Sequence, residues 1–286
     1  MRRDLRIWLM LAPALAVIGL LFMGGLLLGL LQSLGYLPLI GEREPSLRAY
    51  AAVLSSRSFL RSLLLTLHVA LVSTLLATAL ALGLALLLRQ SFAGRRAMTF
   101  IFQLNLPIPH LVGAIALAQV LSQSGLLARL AALLGLIDDP GQFPVLVFDP
   151  WGLGIIAEYV WKETPFIGVV LLSVLQALGD DYENLARSLG AGRWQRFRYV
   201  LLPLLLPGIL SSSVIVFAFA FGAFEVPFFL GVAFPQTLPV LAYRSYADVD
   251  LRARPETMAM GVIIAAVVAA LALLYMRLGR RAVPRG

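Results

Sequence analysis

Four ionisable side chains, Glu158, Lys162, Glu163 and Glu225, stand in stretches otherwise apolar enough to lie in a bilayer. An unpaired charge there costs at least about 2.5–3.5 kcal/mol, so such groups pair, face a bundle interior, or serve a solute or proton. Glu158 and Lys162 are spaced i, i+4 with the acid first, the favourable order for an ion pair on one helix face. Glu163 points elsewhere. Pro165 removes the N–H that would bond the carbonyl of Trp161, so a kink is expected there. Glu225 precedes Pro227 and sits among Phe219, Phe221, Phe224, Phe228 and Phe229. A translocation path for a cationic solute would use Glu163 or Glu225, with Phe224 beside it. The alternative use of these charges is pairing between helices or with a partner subunit.

His68 lies in a helix rich in Thr, Ser and Leu and reads as an interhelical hydrogen-bonding residue. His110 follows Pro109 at an expected kink and is a further candidate for the path. Two distant histidines without cysteine or a matching carboxylate spacing predict no metal site, and no cofactor is expected. Disulfides and cysteine nucleophiles are excluded for the same reason. The chain carries no HExxH, no GxSxG and no aspartate pair within its apolar segments, so an intramembrane enzyme would have to improvise its nucleophile or metal. It also lacks the G-x-x-x-x-G-K-[ST] phosphate loop, so ATP hydrolysis would have to occur on another chain.

Composition sets the class. The chain is 60% hydrophobic and 13% charged, against about 25% charged in an ordinary soluble domain. Six segments are long and apolar enough to cross roughly 30 Å of hydrocarbon, which needs about 20 residues. Ile7–Leu31, Leu63–Leu88, Ala97–Val120 and Thr257–Tyr275 contain no Asp, Glu, Lys or Arg, whereas Leu153–Leu178 and Leu204–Gly231 carry the ionisable residues above. The expected fold is all-α, a polytopic membrane protein with six transmembrane helices. The first segment is too long for the h-region of a signal peptide and has no small-residue cleavage site after it.

The formal charge of +8 is unevenly spread. With both termini inside, the inner segments hold most of the arginines, the outer loops balance, and the spans carry Lys162 against three glutamates. Excess Lys and Arg marks the cytoplasmic side. The basic balance therefore encodes topology, with membrane lipids as its partner and no nucleic acid. Among the connections, the first outer loop, Gln32–Arg61, predicts a short interfacial helix at Ser46–Leu54. Leu126–Ile137 is too short to cross and reads as interfacial or re-entrant. Val232–Glu256, with three prolines and mixed charges, reads as a plug or an outward docking surface.

One polar island, Gly179–Pro203, interrupts the later spans. Asp180 and Glu183 have capping-box spacing, so a helix is expected over Tyr182–Leu189 with Leu185 and Leu189 on one face. Gly190 follows where a left-handed residue commonly ends a helix. A second short helix is expected over Arg193–Val200, and Leu202-Pro203 then leads into the next span. Two short helices joined at a glycine make a rigid knuckle, with Trp194 and Phe197 as apolar anchors and Arg187, Arg193, Arg196 and Arg198 at its rim.

The island's spacing runs Asn184-Leu185-Ala186, three residues, Gly190, nine residues, Val200, one residue, Leu202-Pro203. It resembles the Glu-Ala-Ala-x3-Gly-x9-Ile-x-Leu-Pro cytoplasmic loop of permease subunits in binding-protein-dependent ABC importers. Trp161-Lys162-Glu163-Thr164-Pro165-Phe166 and FGAFEVPFFLG resemble the same family, the latter its polyamine, ferric-iron and phosphonate-like branch. Asn184 stands at the family's Glu and Leu185 at its first Ala, while Glu183 lies about 100° round the helix from Asn184.

The resemblance implies a permease core over residues 58–277 containing five transmembrane helices. A first helix with its outer loop precedes it over 1–57, and a basic cytoplasmic tail follows over 278–286. It implies that the knuckle sits in a groove on a dimeric ABC ATPase, with Glu183, Asn184, Leu185, Ala186, Arg187, Leu189, Gly190, Ala191, Trp194 and Phe197 in the coupling surface. It also implies a second permease subunit, identical or paralogous, an extracytoplasmic solute-binding protein, and residence in the bacterial inner membrane with both termini cytoplasmic. The expected function is an ATP-driven importer's permease subunit for a small polar solute, a polyamine or other organic cation being favoured, and not an enzyme. A non-transport membrane scaffold or signalling partner of an ATPase would keep the knuckle but needs no polar path.

Overall fold

The computed structural model describes residues 2–89, 93–179 and 181–282. Fourteen α-helices lie among them: α1 (Arg2–Val17), α2 (Gly24–Ser33), α3 (Arg48–Ser55), α4 (Arg57–Leu88), α5 (Arg95–Gln103), α6 (His110–Leu121), α7 (Leu126–Leu133), α8 (Leu153–Leu178), α9 (Asp181–Ser188), α10 (Arg193–Arg196), α11 (Leu202–Gly222), α12 (Glu225–Leu230), α13 (Leu238–Tyr246) and α14 (Arg254–Ala282). Among the described residues the single β-type pairing is an isolated bridge, Leu37 to Glu42. The fold is all-α, as expected.

Five helical stretches are long and apolar enough to span: Ile7–Ser33, Arg57–Leu88, His110–Leu133, Arg193–Gly222 and Leu251–Leu274. The sixth expected crossing, α8, has the length at 26 residues, but Glu158, Lys162 and Glu163 lower its hydropathy. Two expected boundaries move. Ala97–Val120 is not one helix: Pro107 and Pro109 cannot donate to Gln103 and Asn105, so α5 stops at Gln103 and α6 starts at His110. The expected Leu204–Gly231 helix begins earlier and ends at Gly222, with α12 separate beyond Ala223.

The short helix expected over Arg193–Val200 is likewise not a separate piece. It runs through a π-helical stretch, Phe197–Leu201, straight into α11. Pro203 has no N–H for the carbonyl of Tyr199, and a π turn is one way a helix absorbs such a gap.

The chain divides into two compact units, Met1–Leu60 with Leu238–Ala266, and Arg61–Thr237 with Val267–Gly286. In the first, α3 confirms the short helix expected in the outer loop. The Ser33 and Tyr50 hydroxyls bond at 2.7 Å, and the Arg254 guanidinium lies 3.9 Å from the centre of the Tyr246 ring. Glu42, Arg43, Glu44, Arg48, Arg252 and Glu256 line an open polar cleft of 790 Å³ in this unit.

In the second unit, α4, α8 and α11 share one core. Ala77, Ala81 and Ala85 put a smooth face of α4 against Ile167, Leu171 and Leu175 of α8 and Leu205 and Val216 of α11, all buried. Small residues let helices approach closely where lipid supplies no hydrophobic drive. One hydroxyl pair, Thr78 to Ser213 at 3.0 Å, bridges α4 and α11. At the start of α8, the buried Asp149 carboxylate accepts from the N–H groups of Trp151 and Leu153 at 2.8 and 2.7 Å. Orphan amides at a helix start are thereby satisfied.

Candidate functional site

The break between α5 and α6 and the proline in α8 leave carbonyls without their helical partners. The amide of Asn105 donates to the Trp161 carbonyl at 2.6 Å, the oxygen that Pro165 orphans within α8. In return the Lys162 ammonium donates to the carbonyls of Asn105 and Ile108, each at 2.6 Å. α8 therefore stays one helix through Pro165 with its gap filled from outside. Lys162 also lies 6.0 Å from the ring centre of Trp161.

The expected Glu158–Lys162 ion pair does not form; no salt bridge joins them among the described residues. Lys162 is spent on backbone oxygens, which broken helices expose and lipid cannot satisfy. Glu158 instead meets His110: its Oε1 lies 3.2 Å from Nδ1, while Glu163 Oε1 lies 3.6 Å from Nε2 of the same ring. Gly113, one turn along α6 from His110, makes the approach possible. A Cβ there would stand 2.9 Å from the Trp161 ring and 3.1 Å from Glu158 Oε1. The Phe219 ring of α11 closes over His110 with centroids 4.6 Å apart, and the Tyr159 ring lies 6.4 Å away.

This cluster holds two carboxylates, one ammonium and one imidazole, with Glu158 and Tyr159 fully buried. Glu158 Oε2, Tyr159 Oη and Asn105 Oδ1 have no hydrogen-bond partner among the described residues. Buried polar atoms almost always find one. The arrangement can hold a proton or bind a cation.

Glu225 forms no ion pair with that cluster among the described residues. It is exposed, at the first turn of α12, and Phe224 beside it is half-buried with its ring 5.0 Å from that of Phe228. His68 packs edge-on to Trp151, ring centroids 6.2 Å apart, and the expected interhelical hydrogen bond is not found among the described residues. Among the described residues, no group of three His, Asp or Glu is placed to hold a metal ion.

The polar island folds largely as its spacing indicates. Asp180, half of the expected capping box, lies outside the described residues. α9 ends in a Schellman arrangement: the N–H of Ala191 donates to Ala186 at 3.0 Å, that of Gly190 to Arg187 at 2.9 Å, and Gly190 has φ +83°. Gln195 Oε1 then accepts from the N–H of Gly192 at 2.8 Å, opening α10.

Leu185, Leu189 and Trp194 stand 63%, 80% and 70% exposed. Asn184 and Arg187 are also exposed, while Ala186 and Ala191 are half-covered. Phe197 turns inward against the α4–α8–α11 core, its ring 5.5 Å from Trp194. Glu183 is engaged within the chain, paired with Arg89 at the end of α4 and 3.4 Å from Arg196 Nε.

Sequence reasoning overlooked Asn105, Gly113, Asp149 and Arg89. Asn105, a polar amide two residues before Pro107 in a largely apolar run, carried the one signal that could have marked it.

Residues 77–285 match the family described as binding-protein-dependent transport system inner membrane component. The chain belongs to this family. It is thus a transport component and not an enzyme. As a family member it is 31% identical over 145 residues to the sulfate transport system permease protein CysT of Salmonella typhimurium, covering 51% of this chain and 49% of that one. The chain spans about half the length of the sulfate permeases it matches. It is 28% identical over 288 residues to the trehalose/maltose transport system permease protein MalF of Thermococcus litoralis, covering 96% and 93%.

Among solved structures, a chain of the bacterial alginate ABC transporter, in complex with its alginate pentasaccharide-bound periplasmic protein, superposes with a TM-score of 0.82 at 21% identity, over 100% of this chain and 97% of that one. A chain of the inward-facing MetNI methionine ABC transporter gives 0.57 at 18% identity, over 78% and 95%. Both are likenesses of fold.

Proposed function

We propose that this family member is the permease subunit of an ATP-driven importer, forming half of a translocation path and taking its energy from a separate ATPase. The observation that carries the reading is the α9–Gly190–α10 knuckle. Three large apolar side chains, Leu185, Leu189 and Trp194, are held out on an arginine-rich segment by a glycine-closed helix end. Exposed apolar anchors with a basic rim suit a groove on another protein. The charge bias of the loops supports a cytoplasmic position for the knuckle and both termini, in a bacterial inner membrane.

A second permease subunit, identical or paralogous, would complete the path. An extracytoplasmic solute-binding protein would dock on the outer loops, where the 790 Å³ polar cleft offers both charge signs. The mechanism is alternating access: closure of the ATPase pair moves the knuckle, and α8 and α11, which lead into and out of it, carry the motion through the membrane.

The solute is small and polar. The reading as a polyamine or other organic cation rests on the excess of glutamate over lysine in the spans. Glu158 and Glu163 already face His110, so exposed Glu225 is the acid best suited to meet a cation, with Glu163, His110 and Phe224 the other path candidates. Family membership does not choose among solutes: relatives are named for sulfate, thiamine and trehalose/maltose.

Two measurements test this. An ATPase should co-purify with the chain, and Leu189→Asp should release it. In proteoliposomes containing that ATPase, a solute-loaded binding protein should raise ATP hydrolysis; activity that stays flat across organic-cation, oxyanion and sugar solutes overturns the transport reading.

A further inference from the structure

We propose that Glu183 is a positioning residue, the tie by which the cytoplasmic knuckle carries α4, rather than a contact to the ATPase; this rests on the importer reading above. The knuckle is covalently continuous with α8 on one side and α11 on the other, so any displacement of it reaches those two helices through the backbone. No such route leads to α4, which ends at Leu88. Its packing on α8 and α11 is apolar apart from one hydroxyl pair, with Ala77, Ala81 and Ala85 flanked by Leu82, Leu86 and Leu88.

At its cytoplasmic end the contact changes character. Arg89, the residue after α4, pairs with Glu183 Oε2, while Glu183 Oε1 faces Arg196 Nε at 3.4 Å. Arg196 in turn donates to the Ala191 carbonyl at 3.1 Å. One carboxylate therefore joins three elements: the end of α4, α9 on which it sits, and α10.

Both oxygens of Glu183 are occupied, and the three side chains are only 14–18% exposed. That sets Glu183 apart from its neighbours Tyr182 and Leu185, which stand 54% and 63% exposed and are free to face another protein. A surface ion pair contributes little by itself, but one half-covered and shared among three groups fixes geometry better. The arginine is also well placed for the negative end of the α4 dipole.

The chain has no cysteine, so nitroxide labels on Leu87→Cys and Ser188→Cys report the spacing of α4 and α9 without background. The measurement is made on the full chain in lipid nanodiscs by pulsed electron resonance. The starting protein should give one narrow distance distribution. Glu183→Gln and Arg89→Gln should each lose it for a broad one, and the reciprocal exchange Arg89→Glu with Glu183→Arg should restore it. A general loss of structure would not be rescued by that exchange, and monodisperse elution checks folding; if Glu183→Gln does not fold, Arg89→Gln and the exchange decide.

A narrow distribution retained in Glu183→Gln or in Arg89→Gln, or an exchange that fails to recover it, overturns the tie. So does a Glu183→Gln chain that releases the ATPase at unchanged label distance, since Glu183 would then be a docking contact. If even the unsubstituted chain captures no ATPase, the importer reading falls, while the distances measured without ATPase still decide the tie.

Discussion

The Lys162 ammonium lies 2.6 Å from the carbonyl oxygen of Asn105, the oxygen that Pro109 deprives of its helical donor. The exchange is mutual, because the Asn105 side chain donates to Trp161, whose own donor Pro165 removes. Two prolines create two orphan carbonyls, and each is served by a side chain from the other segment. Proline in a membrane helix is tolerated where neighbours re-satisfy the freed groups. Here the neighbours are identified, and they fix how the α5–α6 break sits on α8.

Lys162→Met should therefore cost more than loss of a surface charge. It strands two carbonyls in a dry environment, for a destabilisation of about 3 kcal/mol. Asn105→Leu strands one and should cost about 1–3 kcal/mol. Because the two bonds share one geometry, the double substitution should cost less than the sum, with a coupling of at least about 0.5 kcal/mol. Denaturant unfolding in detergent micelles measures all three. Strict additivity would show that the two bonds act independently.

Gly113 sets the distance between α6 and α8. Gly113→Val should push the Trp161 ring and Glu158 aside and lower stability by about 1–3 kcal/mol. Gly83 on α4 is the control: it is exposed, and a Cβ there meets nothing within 4 Å. Gly83→Ala should be neutral or stabilise by about 0.5–1 kcal/mol. Equal melting temperatures for the two variants would remove Gly113 as the spacer.

The contrast between these sites shows what a sequence can carry. Helix-forming apolar runs and the Gly190 stop are local properties, legible from residue type and spacing, whereas Pro107 and Pro109 mark a disturbance whose outcome, a break in place of the expected kink, they do not fix. The identity of a charge's partner is not legible either. Spacing offers Lys162 the carboxylate one turn back on its own helix, but the choice falls on carbonyls that exist only because a different segment breaks. In the same way Glu183 sits in α9, while its partner Arg89 is distant in sequence. The fusion of the Arg193–Val200 helix with α11 was hidden because a proline usually signals a boundary, and a π turn can carry a helix across one.

The exposed knuckle predicts a separation of binding from folding. Leu189 is 80% exposed, so Leu189→Asp should leave the melting temperature unchanged yet weaken ATPase capture at least about 30-fold, the effect of losing a 2 kcal/mol anchor. Gly190→Ala should act differently, forcing a side chain into the left-handed region at about 1–2 kcal/mol and loosening the turn that aims Leu189. Capture measured by pull-down at graded ATPase concentration distinguishes them. Undiminished capture by Leu189→Asp would move the docking surface elsewhere on the chain.

Glu163 and Glu225 should also part company. Glu163→Gln alters a group already facing His110 at 3.6 Å inside the bundle, so both stability and uptake should fall. Glu225 is exposed at the start of α12, and removing its charge disturbs no ion pair among the described residues. Glu225→Gln should keep its melting temperature and its ATPase while solute uptake into proteoliposomes drops. Uptake is read with a radiolabelled polyamine and, in parallel, with sulfate. A drop confined to the polyamine would support a cationic cargo meeting Glu225 directly, whereas normal uptake of both would take Glu225 out of the path.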